Sequence, residues 1–209
     1  MTDARVEVVG AGYDVIADRF VEWSAEIEDA HRSRWRRELV ERLPDDARVL
    51  ELGCGAGLAD TRILAERFRV TGVDVSAEQI RRARVNVPAA DFVLADVTQL
   101  ELATASFDAV AAFYSFNHVP RDTLPQLLGR IHSWLVPGGL FLTAFGTGDT
   151  ESWTGEWLGT TMFFSSYPPE TNRALLVDAG FGLLLEDVAT IIEPEPDGDA
   201  TFQWVLARR

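Results

Sequence analysis

Residues 49–60 read VLELGCGAGLAD, a short apolar run that gives way to glycine at every second position, Gly53, Gly55 and Gly57. Glycine loses more backbone freedom on folding than any other residue. An alternating set therefore marks a sharp turn, or a place where backbone must come close to something bound. Glu51 stands just ahead of the glycines. A carboxylate there argues that whatever binds is not a bare phosphate.

Outward from this stretch, the chain alternates two kinds of segment. RVLELG, RVTGVD, ADFVLAD, FDAVAAFY and GLFLTAF are short apolar or β-branched runs, each the pattern of a buried strand. Between them lie helical patterns: Leu58 to Phe68, a segment capped by Ser76, and one opened by Asp122 or Thr123 that Pro137-Gly138-Gly139 ends. Strands alternating with helices at this spacing give a parallel sheet with helices on both faces. Tyr13 to Leu43 reads as helix, and VVGAG (8–12) as a flexible approach to it. After the helical ETNRALLVDAGF, two runs, FGLLLEDVATIIE and TFQWVLARR, flank the turn-rich PEPDGD. They predict an antiparallel hairpin that closes the parallel strands, one of its strands inserting antiparallel. The expectation is an α/β chain with one domain, 1–209: a helical lid segment at 1–46, a core at 47–145, and a connection, helix and hairpin at 146–209.

The formal net charge of −14 argues against nucleic acid or an anionic membrane as partner, since both call for a basic surface. The basic stretch Arg34-Trp35-Arg36-Arg37 reads as the solvated face of a charged helix. No run approaches the roughly 20 apolar residues of a membrane span. The N-terminus lacks the pattern of a secretory signal, and Cys54 is the single cysteine, so the cytoplasm is the expected compartment. No histidine pairs with acids at metal-ligand spacing, and no metal is expected.

Ligands of open parallel sheets bind beyond the carboxyl ends of the strands. Those ends carry Glu51 to Gly57, Asp74, Asp96, Phe113 to Pro120 and Phe145 to Asp149. They offer acids without lysine, which would repel a pyrophosphate and suit a cationic ligand rich in hydroxyl and amino donors. Two glycine patterns mimic a dinucleotide fingerprint, but Val15 and Leu58 stand where each needs its third glycine.

ELGCGAG, followed in order by GVDVS, LADVTQL, FDAVAAFYSFNHVP and LVPGGLFLTAF, resembles the class I S-adenosylmethionine-dependent methyltransferases, over essentially the whole chain after Ala47. YDVIADRF is similar to the cofactor-lid helix of that family. The resemblance implies a Rossmann-like seven-stranded sheet, mostly parallel with one antiparallel strand, and S-adenosylmethionine as cofactor with S-adenosylhomocysteine as product. It implies cofactor contacts from Tyr13, Glu51, Gly53, Cys54, Gly55, Asp74, Val75, Asp96, Val97 and Phe113. Glu51 would support the ammonium end, Asp74 the ribose and Asp96 the adenine amino group. Asp96 has the alternative of capping the turn before Thr98.

His118 is the candidate catalytic residue, either as a base or as a residue that orients substrate. Tyr114 and the connection after the fifth strand, with Trp153, Trp157, Met162 and Phe163, are candidates for the acceptor site, or else simply cap the core. A small, partly apolar acceptor follows, with O-methylation ahead of N- or C-methylation, in a monomer or homodimer. The alternatives are a repurposed fold that uses its cofactor without methyl transfer, as in a cyclisation, and a non-catalytic cofactor-binding protein.

Overall fold

The computed structural model describes residues 3–27, 29–194 and 198–209. Two helices lead, α1 (Ala4–Ala25) and α2 (Ala30–Val40). The alternating part follows as β1 (Arg48–Leu52), α3 (Asp60–Ala65), β2 (Arg69–Asp74), α4 (Ala77–Asn86), β3 (Asp91–Leu94), β4 (Phe107–Ala112), α5 (Leu124–Trp134) and β5 (Leu135–Gly146). The chain then forms β6 (Thr150–Trp157), β7 (Thr160–Ser166), α6 (Pro169–Asp178), β8 (Gly182–Ile192) and β9 (Asp199–Arg208). Each of the five expected parallel strands is present.

Seven strands make one sheet in the order β3-β2-β1-β4-β5-β9-β8. β9 enters between β5 and β8 and runs antiparallel to both, so the terminal hairpin closes the sheet as the sequence predicts. Part of its connection, residues 195–197 of PEPDGD, lies outside the described residues. The strand order reverses at β1, whose neighbours are β2 and β4, and a crevice opens there beyond the strand ends.

The two-residue period of the strands sends alternate side chains to opposite faces. Leu50, Leu52, Val110 and Phe141 pack with Leu127, Leu128 and Ile131 of α5 and Leu176 of α6. Val49, Ala111, Leu142 and Trp204 pack on the other face with Trp35 and Leu39 of α2 and Leu64 of α3. Trp35 stacks on Trp204 at 5.9 Å between ring centroids, with the planes 6° apart. The reading of residues 34–37 as a solvated face holds for Arg34 and Arg37, which are exposed, and not for the two residues between them. Trp35 is buried, and Arg36 pairs at 2.6 Å with the buried Asp60.

Two further expectations change. VVGAG is not a flexible approach but the second and third turns of α1, whose first turn Asp3 caps by accepting the Arg5 N–H at 2.9 Å. A Cβ on Gly10 would stand 3.1 Å from the Val75 carbonyl oxygen, and one on Gly12 3.1 Å from that of Thr161. These glycines let the helix lie directly on the β2 end and on β7. The connection at 146–168 is a hairpin in a separate two-stranded sheet, β6 with β7. Its two-residue loop, Leu158-Gly159, has φ of 49° and 78°. Such loops favour Asn-Gly or Asp-Gly, and a leucine in the left-handed region conceals the turn from a reading of the sequence.

Candidate active site

A cavity of about 510 Å³ lies at the switch point, floored by the strand ends and roofed by α1, α2 and the β6–β7 hairpin. The floor begins at the glycines. Gly53 has φ of 77°, and a Cβ on it would fall 2.3 Å from the Ser115 Cβ. No other residue fits there without moving the loop after β4. The N–H groups of Gly53 and Cys54 both donate to the Val73 carbonyl, at 2.7 and 3.0 Å, which fixes the turn to β2. Cys54 sits buried among the glycines, and burial pushes its thiol well above the ordinary range, which disfavours the reactive thiolate.

Asp74 ends β2 and accepts the Gly55 N–H at 2.8 Å and the Ser76 N–H at 2.9 Å, one on each carboxylate oxygen. Burial raises its pKa while these donors oppose the rise. A carboxylate has about four lone-pair sites, so both oxygens keep acceptor capacity toward the cavity. Asp96, after β3, accepts the Thr98 N–H at 2.7 Å through Oδ1. Its Oδ2 is buried and has no partner. The turn-capping alternative and a free acceptor thus coexist in one side chain. Val75, Val97, Phe113 and Tyr114 complete this part of the lining.

Glu51 is not part of the wall. The pleat of β1 sends it to the same side as Val49, toward α3, where it accepts the Thr61 hydroxyl at 2.6 Å and is almost fully buried. Burial, with the Asp60 charge beside it, pushes its carboxyl up to about 8. Asp60 in turn holds Arg32 at 2.5 Å as well as Arg36. The Arg32 guanidinium lies over the rings of Phe113 and Tyr114, at 5.6 and 5.5 Å, and reaches the cavity lining. The Tyr114 hydroxyl donates to Asp29, the N-cap of α2, at 2.6 Å. α2 is thereby tied to the loop after β4 through charge, a contribution that the sequence did not reveal.

The roof is aromatic. Tyr13, Phe20 and Trp23 of α1 meet Trp157 of β6 at centroid distances of 6.2, 6.1 and 5.3 Å, and Phe164 of β7 packs on Trp157 at 5.7 Å. His118, on the 3-10 turn after β4, lies 4.5 Å from the Phe164 ring. Its Nδ1 is 2.9 Å from the Phe163 carbonyl oxygen and its Nε2 2.9 Å from the Tyr13 hydroxyl. Burial lowers the His118 pKa to about 4.

Three expected acceptor residues fall elsewhere. Trp153 is 43% exposed on the hairpin, packed on Phe164. Met162 and Phe163 are fully buried with Val9 and Ile16 beneath α1, where they seat the helix. Phe20, Trp23 and Phe164 line the cavity instead, with Phe202 brought in by β9. The spacing of Tyr13, Phe20 and Trp23 on one helix face was the available signal. Phe202 had none.

The family model described as "Methyltransferase domain" matches residues 49–139, which run from β1 through the cavity floor into the start of β5. Over that span the chain is similar to methyltransferase domains, the class that the motifs around the glycine turn resemble. A trans-aconitate 2-methyltransferase of Variovorax paradoxus is 37% identical over 114 residues, 52% of this chain and 43% of the relative. The chain thus spans less than half the length of that relative. A demethylmenaquinone methyltransferase of Renibacterium salmoninarum is 26% identical over 97% of the chain and 84% of its own length. Among solved structures, a 1,6-didemethyltoxoflavin-N1-methyltransferase of Burkholderia thailandensis, with bound 1,6-didemethyltoxoflavin and S-adenosylhomocysteine, superposes with a TM-score of 0.65 at 22% identity. That match covers 95% of this chain and 88% of the other, and shows a common fold.

The residues present suit the cofactor of the class. The chain offers a glycine turn closed to a side chain at Gly53, an unpartnered buried acid at Asp96 and spare acceptor sites on Asp74, all apt for a ligand that donates hydrogen bonds and carries positive charge. Among the described residues, no helix is long and apolar enough to cross a membrane.

Proposed function

We propose that this chain transfers a methyl group from S-adenosylmethionine to an oxygen of a small, planar, partly apolar organic molecule. The observation that carries the reading is the single cavity in which an acid-and-glycine floor faces an aromatic roof. In this reading the backbone at Gly53 and Gly55 approaches the methionine part, and Asp74 accepts from the ribose hydroxyls. Asp96 Oδ2 accepts from the adenine amino group, while Val75, Val97 and Phe113 pack around the base. Bound there, the cofactor supplies an electrophilic methyl on a sulfonium.

The roof supplies orientation. Holding an acceptor atom in line with that methyl can supply up to about 7–11 kcal/mol of acceleration. Tyr13, Phe20, Trp23, Trp157 and Phe164 offer ring faces and edges to a flat acceptor. Among the described lining residues Arg32 is the one cation, and Asp60 neutralises it. A polycarboxylate acceptor is therefore disfavoured, and a neutral aromatic or quinol-like one is favoured.

Calorimetric titration with S-adenosylmethionine, S-adenosylhomocysteine and NAD tests the cofactor assignment. Binding of the two adenosyl ligands and not of NAD is expected; NAD binding would overturn it. Turnover is then read as S-adenosylhomocysteine formed with a panel of phenols and quinols set against tricarboxylates. Preference for the tricarboxylates would sink the acceptor assignment.

A further inference from the structure

The contact between Tyr13 and His118 joins α1 to the turn after β4 through one hydrogen bond of 2.9 Å. Its direction follows from the other side of the ring. The Phe163 carbonyl oxygen can only accept, so Nδ1 of His118 carries the proton and donates to it. Nε2 is then the bare lone pair of a neutral imidazole, and the Tyr13 hydroxyl must donate to it. His118 thus has no free lone pair to offer an acceptor. The phenolic oxygen of Tyr13, with its own lone pairs uncommitted by any hydrogen bond from the ring, is the next atom in the chain, and both side chains line the cavity.

We propose that Tyr13 is the residue that takes the acceptor's proton, relaying its own proton to Nε2 of His118, so that the general base of this site is a two-residue chain. The proposal rests on the methyl-transfer reading above. As the acceptor oxygen forms its bond to the methyl carbon, its O–H proton passes to the Tyr13 oxygen. The Tyr13 proton passes to Nε2, and the carbon–sulfur bond breaks with its electron pair left on sulfur. The site begins with a sulfonium and a neutral imidazole and ends with a neutral thioether and an imidazolium. Positive charge in the cavity is conserved, which offsets the cost of charging a buried histidine. His118 then releases its proton to solvent when the products leave.

Burial raises the Tyr13 pKa, with Asp74 and Glu193 adding to the rise, so Tyr13 does not act as a preformed phenolate. The relay needs both protons to move together. It also needs α1 in place. Val9 and Ile16 pack on Met162 and Phe163, and it is the Phe163 carbonyl that selects the histidine tautomer. The catalytic base therefore exists only while the roof is seated.

The test has two arms on the full chain. Nitrogen-15 NMR of histidine-labelled protein is expected to show His118 neutral with the proton on Nδ1, and Nε2 shifted in Tyr13→Phe; a proton on Nε2 in the wild type would overturn the relay without reference to activity. In the second arm, kcat is measured for Tyr13→Phe and His118→Asn with a series of substituted phenols, from unsubstituted phenol to nitrophenols already ionised in the assay. Each variant is expected to lose roughly 10²-fold or more with un-ionised phenols, and far less with ionised ones. An equal loss across the series would mean that the hydroxyl only holds α1 in place, and the relay would be wrong. No S-adenosylhomocysteine formed by the wild type with any phenol would overturn the methyl-transfer reading and the relay with it.

Discussion

The floor of the cavity, from Gly53 to Val97, and its roof, formed by α1 and the β6–β7 hairpin, face each other across one space and are built on opposite principles. The floor is short loops tied by backbone hydrogen bonds: Gly53 and Cys54 to Val73, Gly55 to Asp74, Thr98 to Asp96. Its positions are fixed by the parallel strands beneath, and its side chains are acids. The roof is side chains packed ring against ring, from elements far apart in sequence, with polar contacts such as Tyr13 to His118 and His118 to the Phe163 carbonyl among them. A backbone-built floor presents the same donors and acceptors whatever side chains surround it. A ring-built roof changes shape with every substitution. In the proposed reading, cofactor recognition falls to the floor and acceptor choice to the roof.

Two substitutions cross this division, and the larger effect is expected at the floor. Asp74→Ala removes acceptors for ligand hydroxyls and also the anchor of the Gly55 N–H. A hydrogen bond to a charged group contributes about 1.5–3 kcal/mol. S-adenosylhomocysteine affinity is expected to fall by at least roughly tenfold per bond lost, as calorimetry would show. Unchanged affinity would break the assignment of the floor. Phe20→Ala opens the roof instead. A loss of about 1–2 kcal/mol of apolar contact raises the acceptor KM by roughly 5–30-fold and leaves S-adenosylhomocysteine affinity where it was. If both constants moved together, floor and roof would be one site rather than two.

The smallest effect sharpens the comparison from beneath the floor. The Glu51 carboxyl is pushed up to about 8 by burial and by Asp60, from the 4.5 of a free side chain. Between those pH values the folded chain binds more protons than the unfolded one. The stability linked to Glu51 is therefore full below about 4.5 and is lost as pH rises toward 8. Glu51→Gln is expected to raise the thermal midpoint at pH 8.5 by about 2–4 °C for each kcal/mol recovered, with a smaller gain at pH 5.5. An equal shift at both values would show that the carboxyl does not titrate in this range.

Much of the floor was legible in the sequence. Alternating glycines, apolar runs ending in Asp74 and Asp96, and the Ser76 cap of α4 are local signals, and each stands where it was expected. That Glu51 lies off the cavity lining was not legible, because a motif gives a residue's position along a strand but not which face of the pleat it occupies. The roof was legible only in part. Trp157 and Tyr114 reach the cavity, yet Trp153, Met162 and Phe163 do not, since which aromatic turns inward depends on the hairpin at Leu158-Gly159 and on where α1 lands. Asp29, Arg32 and Arg36 gave the pattern of an ordinary charged helix. Their roles come from the buried Asp60 and from Tyr114, which lie at least 24 residues away along the chain.

By itself the sequence determined the α/β alternation, the parallel order with its closing hairpin, and the acid-and-glycine character of the strand ends. Periodicity and backbone conformational preference act over a few residues, and they leave their mark in every short window. Only the tertiary structure decided that Glu51 turns away under α3, that Phe202 arrives through the inserted β9, and that the Phe163 carbonyl fixes the His118 proton and so hands Nε2 to Tyr13. Hydrogen-bond direction and ring packing depend on atoms a few ångströms apart in space and 45 to 105 residues apart in the chain, a separation that no local pattern encodes.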